Sequence, residues 1–265
     1  MSKAYFDRVS PTFIENWAPA LHDLSIPQAD VPLSRLESQA LEARTWHKKS
    51  PDRSEHLPID SLMWRLDVAL RQFPEGAFVR LGSRSSKDSA YALQHGLRVR
   101  TGEAAVRMLT EGSERTAFDL RLAAQVHYAP HIFVRKWMDI PRWTEFRCFM
   151  KERRLIGISQ YDCLTLGIRP EITRNAESLH TAIREFSQRF AAASHLDNVV
   201  FDVFVEGMDT SGPLNVHLLE LNPFFPKTDP CLFDWSVPAD FDGSFRFLGA
   251  STLKGRDNLG HGRGG

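Results

Sequence analysis

Two apolar runs, NVVFDVFVE (198–206) and LNVHLLELN (214–222), flank the turn-rich stretch GMDTSGP. Both are rich in β-branched or large apolar residues and bounded by turn formers, so together they predict an antiparallel hairpin. Polar residues interrupt both runs. Asp202 breaks the first, and Glu220 and Asn222 break the second just before Pro223. Strand side chains alternate faces, so Glu220 and Asn222 share a face, with Leu218 and Val216 expected on the same side further back. Opposed residues of an antiparallel pair have a constant index sum, and any even sum puts Asp202 on the face of Glu220. The hairpin can therefore gather two carboxylates and an amide at one strand end.

Those groups are hard oxygen donors. Mg²⁺ is commonly held by one or two carboxylates, with waters and substrate phosphates completing its shell. Without a cation, two close carboxylates repel and one tends to keep its proton. The competing reading is structural, with Asp202 and Glu220 paired to some of the chain's many arginines.

The hairpin follows a mixed region. SPTFIENWAPAL predicts a helix over part of its length, with Pro11 in the first turn. HKKSPDRSEHLP (47–58) reads as an exposed linker. Asp60 is expected to cap the helix SLMWRLDVALRQF, and AFVRL (77–81) to be a short strand. Helices are expected near 102–110 and 116–128. Strands are expected at 131–138, 144–151 and 155–162, with a tight turn at Glu152–Arg153. A long helix should begin after Asn175, a good N-cap. The order predicts an α+β fold with mostly antiparallel sheets. Four segments are expected: 1–58, helical or extended and packed on the core; 59–130, a first lobe; 131–240, a second lobe with hinge and metal site; and 241–265, a partly flexible tail.

Bulk properties exclude several classes. Lys+Arg and Asp+Glu are equal at 33 each, which argues against general nucleic-acid binding but leaves room for a local phosphate pocket. No apolar run approaches the roughly 18 residues of a membrane span, and the N-terminus lacks the apolar centre of a signal peptide. Cys148, Cys163 and Cys231 are far apart and odd in number, and suit a reduced, cytoplasmic chain. Hydrolase, P-loop, dinucleotide and zinc signatures are missing.

Two further stretches carry charge. FVRLGSRSSKDS leads a strand with Arg80 into a small-residue loop with Arg84 and Lys87, which can meet a polyphosphate or be merely solvated. In FVRKWMDIPRWTEFRCFM, Glu145 and Arg147 share one strand face while Phe146, Cys148 and Met150 face the other way. This pair reads as a surface ion pair or as a ribose or phosphate contact over an apolar base pocket.

The motifs FVRLGSRSSKDS, VRKW…TEFRCFMKERRLIGISQYD, FDVFVE and LLELNPFFPKTDPCLFDW, in this order over roughly residues 77–235, resemble the cell division cycle protein 123 family, a divergent branch of the ATP-grasp superfamily. The resemblance implies an ATP-grasp fold, two lobes with mainly antiparallel sheets clamping Mg-ATP. It implies that Asp202, Glu220 and Asn222 hold Mg²⁺ and that Arg135, Lys136 and Trp137 lie beside the adenine. It makes Arg147 a phosphate contact and puts Arg80 where family members usually carry a phosphate-reaching lysine, which marks both as catalytic candidates. Lys87 and Glu145 complete the ATP-binding set. The superfamily implies an ATP-dependent ligase or phosphotransferase. The eukaryotic relatives imply instead an assembly factor with a protein partner, acting on the heterotrimeric translation initiation factor two.

Overall fold

The structure, a computed structural model, describes residues 3–46, 53–165, 167–209 and 212–249. The chain begins with α1 (Lys3–Val9), two 3₁₀ turns, α2 (Pro19–His22), β1 (Gln28–Pro32), α3 (Arg35–Trp46) and α4 (Arg53–Leu70). Next come β2 (Ala77–Leu81), α5 (Ala90–His95), α6 (Gly102–Thr110), α7 (Glu114–Gln125) and β3 (His131–Lys136). The remainder is β4 (Glu145–Lys151), β5 (Arg154–Gln160), α8 (Pro170–Arg174), α9 (Ala176–Ala193), β6 (Val199–Glu206), β7 (Asn215–Pro223) and β8 (Phe245–Arg246). It is an α+β fold, and every strand pairing except β5–β8 is antiparallel.

The chain forms two compact units. The first comprises Met1–Trp17 and Ile26–Met138 and contains a three-stranded sheet in the order β1-β3-β2. Ala77, Val79, Leu81, Ile132 and Val134 point from this sheet into a core shared with Leu41, Ile59, Leu62, Leu66, Val106 and Leu109. The buried stripe of α4 begins at Ile59, ahead of the expected cap. Packing therefore carries the helix back to Arg53 and leaves Asp60 inside it. Residues 53–58, expected as linker, are helical, and 47–52 lie outside the described residues. The helix expected in SPTFIENWAPAL is instead two 3₁₀ turns and the four-residue α2. Two prolines interrupt it, and the Trp17 indole donates to the Thr12 carbonyl at 3.0 Å.

The second unit comprises Ala18–Ser25 and Asp139–Gly265, and its five-stranded sheet has the order β7-β6-β4-β5-β8. One face packs on α9, where Phe190 stacks on Phe201 with ring centres 4.2 Å apart. Glu152 and Arg153 make the expected tight turn between β4 and β5, both at positive φ (+49° and +61°) as a two-residue hairpin favours. Asn175 precedes α9 but its side chain does not cap it. Its amide donates instead to the Glu171 carbonyl at 2.9 Å. Of the expected tail, 241–249 are described and include β8, while 250–265 lie outside the described residues.

Candidate functional site

β6 and β7 pair with Asp202 opposite Glu220 and Val200 opposite Asn222. This is the even-sum register the hairpin allows. Past Asp202 the register shifts, so that Val203 opposes Leu218 and Leu219 is the extra residue of a bulge. Val203 neighbours Asp202 and faces the other way, so the bulge moves Leu218 to the side opposite Glu220. The sequence expectation for Leu218 and Val216 is corrected there: they pair with Val203 and Val205 on the other side, where Leu218 is fully buried.

The next strands extend the row. Arg147 on β4 lies opposite Asp202, and Ser159 on β5 lies opposite Arg147. A single line, Ser159–Arg147–Asp202–Glu220, therefore crosses four strands on the face away from α9. Arg147 grips Asp202 with two parallel hydrogen bonds, Nε to Oδ1 and Nη2 to Oδ2, both 2.8 Å. This fork geometry is the strong form of the pair. A third N–H of Arg147 donates to the Asp229 carbonyl at 2.9 Å, and the Tyr161 ring lies 4.8 Å from the guanidinium carbon. Asn222 Nδ2 donates to Asp202 Oδ2 at 3.1 Å and to Glu220 Oε1 at 3.5 Å. The adjoining row on this face is aromatic. Phe149 and Val200 pack with Phe233, Phe224, Trp235 and Phe241, and Gly157 admits the Phe233 ring to within 2.7 Å of where a Cβ would sit.

Burial works against the cation of Arg147, but the Asp202 carboxylate outweighs it and holds the guanidinium protonated. Burial pushes the Asp202 carboxyl up, Arg147 opposes the rise, and Glu220 adds to it. One guanidinium and two carboxylates thus share the row, and the carboxylates of Asp202 and Glu220 oppose each other's ionisation. A proton or a cation on the pair relieves that opposition. Asp202 and Glu220 offer the hard oxygen donors a divalent cation takes, whereas Asn222 turns its amide nitrogen to them, so its oxygen could join only after the amide flips. Asp202 is salt-bridged to Arg147, as the structural reading expects, and sits beside Glu220 and Asn222.

In the first unit, Arg135 on β3 lies opposite Phe78, and Arg80 on β2 lies opposite Phe133. All four therefore share the sheet face opposite the apolar core. Arg80 and Arg135 are each only 4% exposed, and Arg80 Nε donates to the Leu81 carbonyl at 3.1 Å. On the same face, His131 stacks on Phe133 and bonds Asp30 at 2.8 Å. Lys136 points the other way, is exposed, and its backbone N–H donates to the Pro27 carbonyl. The Trp137 N–H donates to the Gly76 carbonyl, and its ring lies under Arg98. The loop of Lys87 is well tied. Ser86 and Ser89 are buried, Arg84 pairs with Asp119, and Asp88 accepts from Ser113 and Arg115, which leaves Lys87 exposed. Sequence reasoning missed Ser159, Tyr161 and the Asp229 carbonyl, because each meets Arg147 only through strand pairing or loop packing.

Among the described residues, no helix is long and apolar enough to cross a membrane. The D123 family model matches residues 24–240. Among curated proteins, the translation initiation factor eIF2 assembly protein of Sclerotinia sclerotiorum is 38% identical over 106 residues, 39% of this chain and 24% of that protein. Its namesake in Xenopus tropicalis is 36% identical over 39% of this chain and 29% of its own length. The namesake in Candida albicans is 25% identical over 188 residues, 64% of this chain and 51% of that protein. The matched part of the chain thus spans a quarter to a half of the length of these relatives. The structure of Cdc123 from Schizosaccharomyces pombe superposes with a TM-score of 0.74 at 20% identity, covering 94% of this chain and 98% of that one, so the fold is shared. With most of its length, including β1 through β7, matched by that family's model, the chain belongs to the D123 family.

Proposed function

We propose that the chain binds Mg-ATP and acts as a nucleotide-dependent assembly factor for a protein complex, as the names of its curated relatives suggest for those proteins. The observation that carries the nucleotide half is the gathering of Asp202, Glu220 and Asn222 at one strand end beside the Arg147 guanidinium. In this reading Asp202, Glu220 and Asn222 hold Mg²⁺, which when bound neutralises polyphosphate charge. Arg147 orients Asp202 and presents a cation to phosphate. In the first unit, Arg80 and Arg135 provide a cationic sheet face for anionic oxygens, with Lys87 as a further cation. Lys136, Trp137 and Glu145 are the proposed base and ribose contacts. That cationic face also favours a second reading, an ATP-dependent ligase or phosphotransferase, because such chemistry rests on positioning and charge neutralisation.

Calorimetric titration of ATP with and without Mg²⁺, followed by mass spectrometry of the products, tests both. Mg²⁺-dependent binding that Asn222→Ala abolishes is the expected result, and equal binding by parent and variant would overturn the metal assignment. Slow or absent turnover with a stable protein partner supports the assembly factor. Acceptor-dependent release of ADP or AMP supports the enzyme instead.

A further inference from the structure

The three cysteines are far apart in sequence, yet folding brings two together. Cys163 lies in the turn that follows β5, and Cys231 in the loop that follows β7. The Cys163 backbone N–H and the Cys231 thiol both reach the Tyr161 carbonyl, at 3.1 and 3.6 Å. Cys163, and after it burial, push the Cys231 thiol up, as a neighbouring thiol does. Cys231 sits at a left-handed φ of +54°, unusual for a residue with a side chain. Its N–H is held by Asp229 Oδ1 at 2.9 Å, which fixes the turn that presents the sulfur. Cys231 is partly exposed and Cys163 is 7% exposed, whereas Cys148 is fully buried on the α9 side of β4.

We propose that Cys163 and Cys231 form a reversible intramolecular disulfide when the protein meets a peroxide. The thiolate of one cysteine attacks a peroxide oxygen, the O–O bond breaks, and hydroxide (or alcohol, from an organic peroxide) leaves. The resulting sulfenic acid is attacked by the second sulfur, the S–O bond breaks, and hydroxide departs as water with the thiol's proton. Two thiols are oxidised and one peroxide is reduced. A disulfide requires the sulfurs to close to about 2.05 Å, and both cysteines already sit at the Tyr161 carbonyl. The bond would tie the turn after β5 to the loop whose Asp229 carbonyl accepts from Arg147. Oxidation therefore reaches the charged row through a backbone neighbour and not by modifying it.

The test treats the full chain with hydrogen peroxide, quenches, alkylates free thiols in denaturant and maps the peptides. The expected result is a fall from three free thiols to one, restored by dithiothreitol, with Cys163 and Cys231 peptides joined and two hydrogens lighter. Cys148→Ser should show the same loss of two thiols, and Cys163→Ser or Cys231→Ser should give no intramolecular link. Three thiols surviving, irreversible oxidation of one cysteine with no joined peptide, or a link through Cys148 would each overturn the proposal.

Discussion

Glu220→Gln probes the charged row with almost no change of shape. Gln keeps an oxygen for the Asn222 amide but removes one of the two negative charges facing Arg147. Asp202 Oδ2 and Glu220 Oε1 both lie within 3.5 Å of the same Asn222 nitrogen, so they are at most about 7 Å apart. At an effective dielectric near 20, two like charges at that distance cost about 2.4 kcal/mol. Solvent at the partly exposed Glu220 and its lost attraction to Arg147 bring the net relief to about 1 kcal/mol. The variant without ligand should therefore be more stable than the parent at neutral pH, by roughly 2–4 °C in Tm. The pH dependence has a fixed sign. Burial, then Glu220, raise the Asp202 carboxyl above its ordinary value. The stability it contributes is present at acid pH and is lost as pH rises through the raised pKa. The advantage of Glu220→Gln should accordingly shrink as pH falls into the range where the parent pair takes up its proton. Mg-ATP should stabilise the parent and not the variant. Thermal unfolding at two pH values, with and without Mg-ATP, reads all of this. A variant less stable than the parent at neutral pH, or equally stabilised by Mg-ATP, would refute the charge argument.

Other perturbations follow from the same geometry. Arg147→Met leaves the buried Asp202 carboxylate without its guanidinium and should cost about 3–5 kcal/mol. In a urea-unfolding double-mutant cycle, adding Asp202→Asn should recover a substantial part, and simple additivity would mean the pair is not coupled. Gly157→Ala puts a methyl 2.7 Å from the Phe233 ring and should destabilise by about 1–3 kcal/mol. Phe233→Leu in the same chain should reduce that loss, and a neutral Gly157→Ala would contradict the packing. Arg80→Gln should weaken ATP by roughly 10–100-fold, the worth of one charge-assisted hydrogen bond, while leaving adenosine nearly unchanged. Equal losses for both ligands in a calorimetric titration would remove Arg80 from the phosphate contacts.

Much of the second unit was legible along the chain. The alternation in FDVFVE and LLELN, the Glu152–Arg153 turn and the long helix after Asn175 are local patterns, and local patterns survive into the fold. The even-sum argument allowed Asp202 to share a face with Glu220, because strand parity is a property of the backbone, and the observed register has such a sum. The first unit was less readable. β1, α3 and α5 carry weak patterns of their own, and the extension of α4 back past Asp60 depends on core packing with distant segments.

By itself, then, the sequence determined which strands alternate, which polar residues interrupt them, and that Glu220 and Asn222 share one face at a strand end. The tertiary structure alone decided what those groups meet. Arg147 and Asp202 are 55 residues apart and become partners only because β4 and β6 pair in one register. The bulge at Leu219, set by the pairing of β6 with β7, turns Leu218 into the core while leaving Glu220 on the charged row. Cys163 and Cys231 meet because two loops close over the same carbonyl. Period and parity are properties of a single strand, whereas register, charge balance and sulfur contact arise between segments, where no local pattern records them.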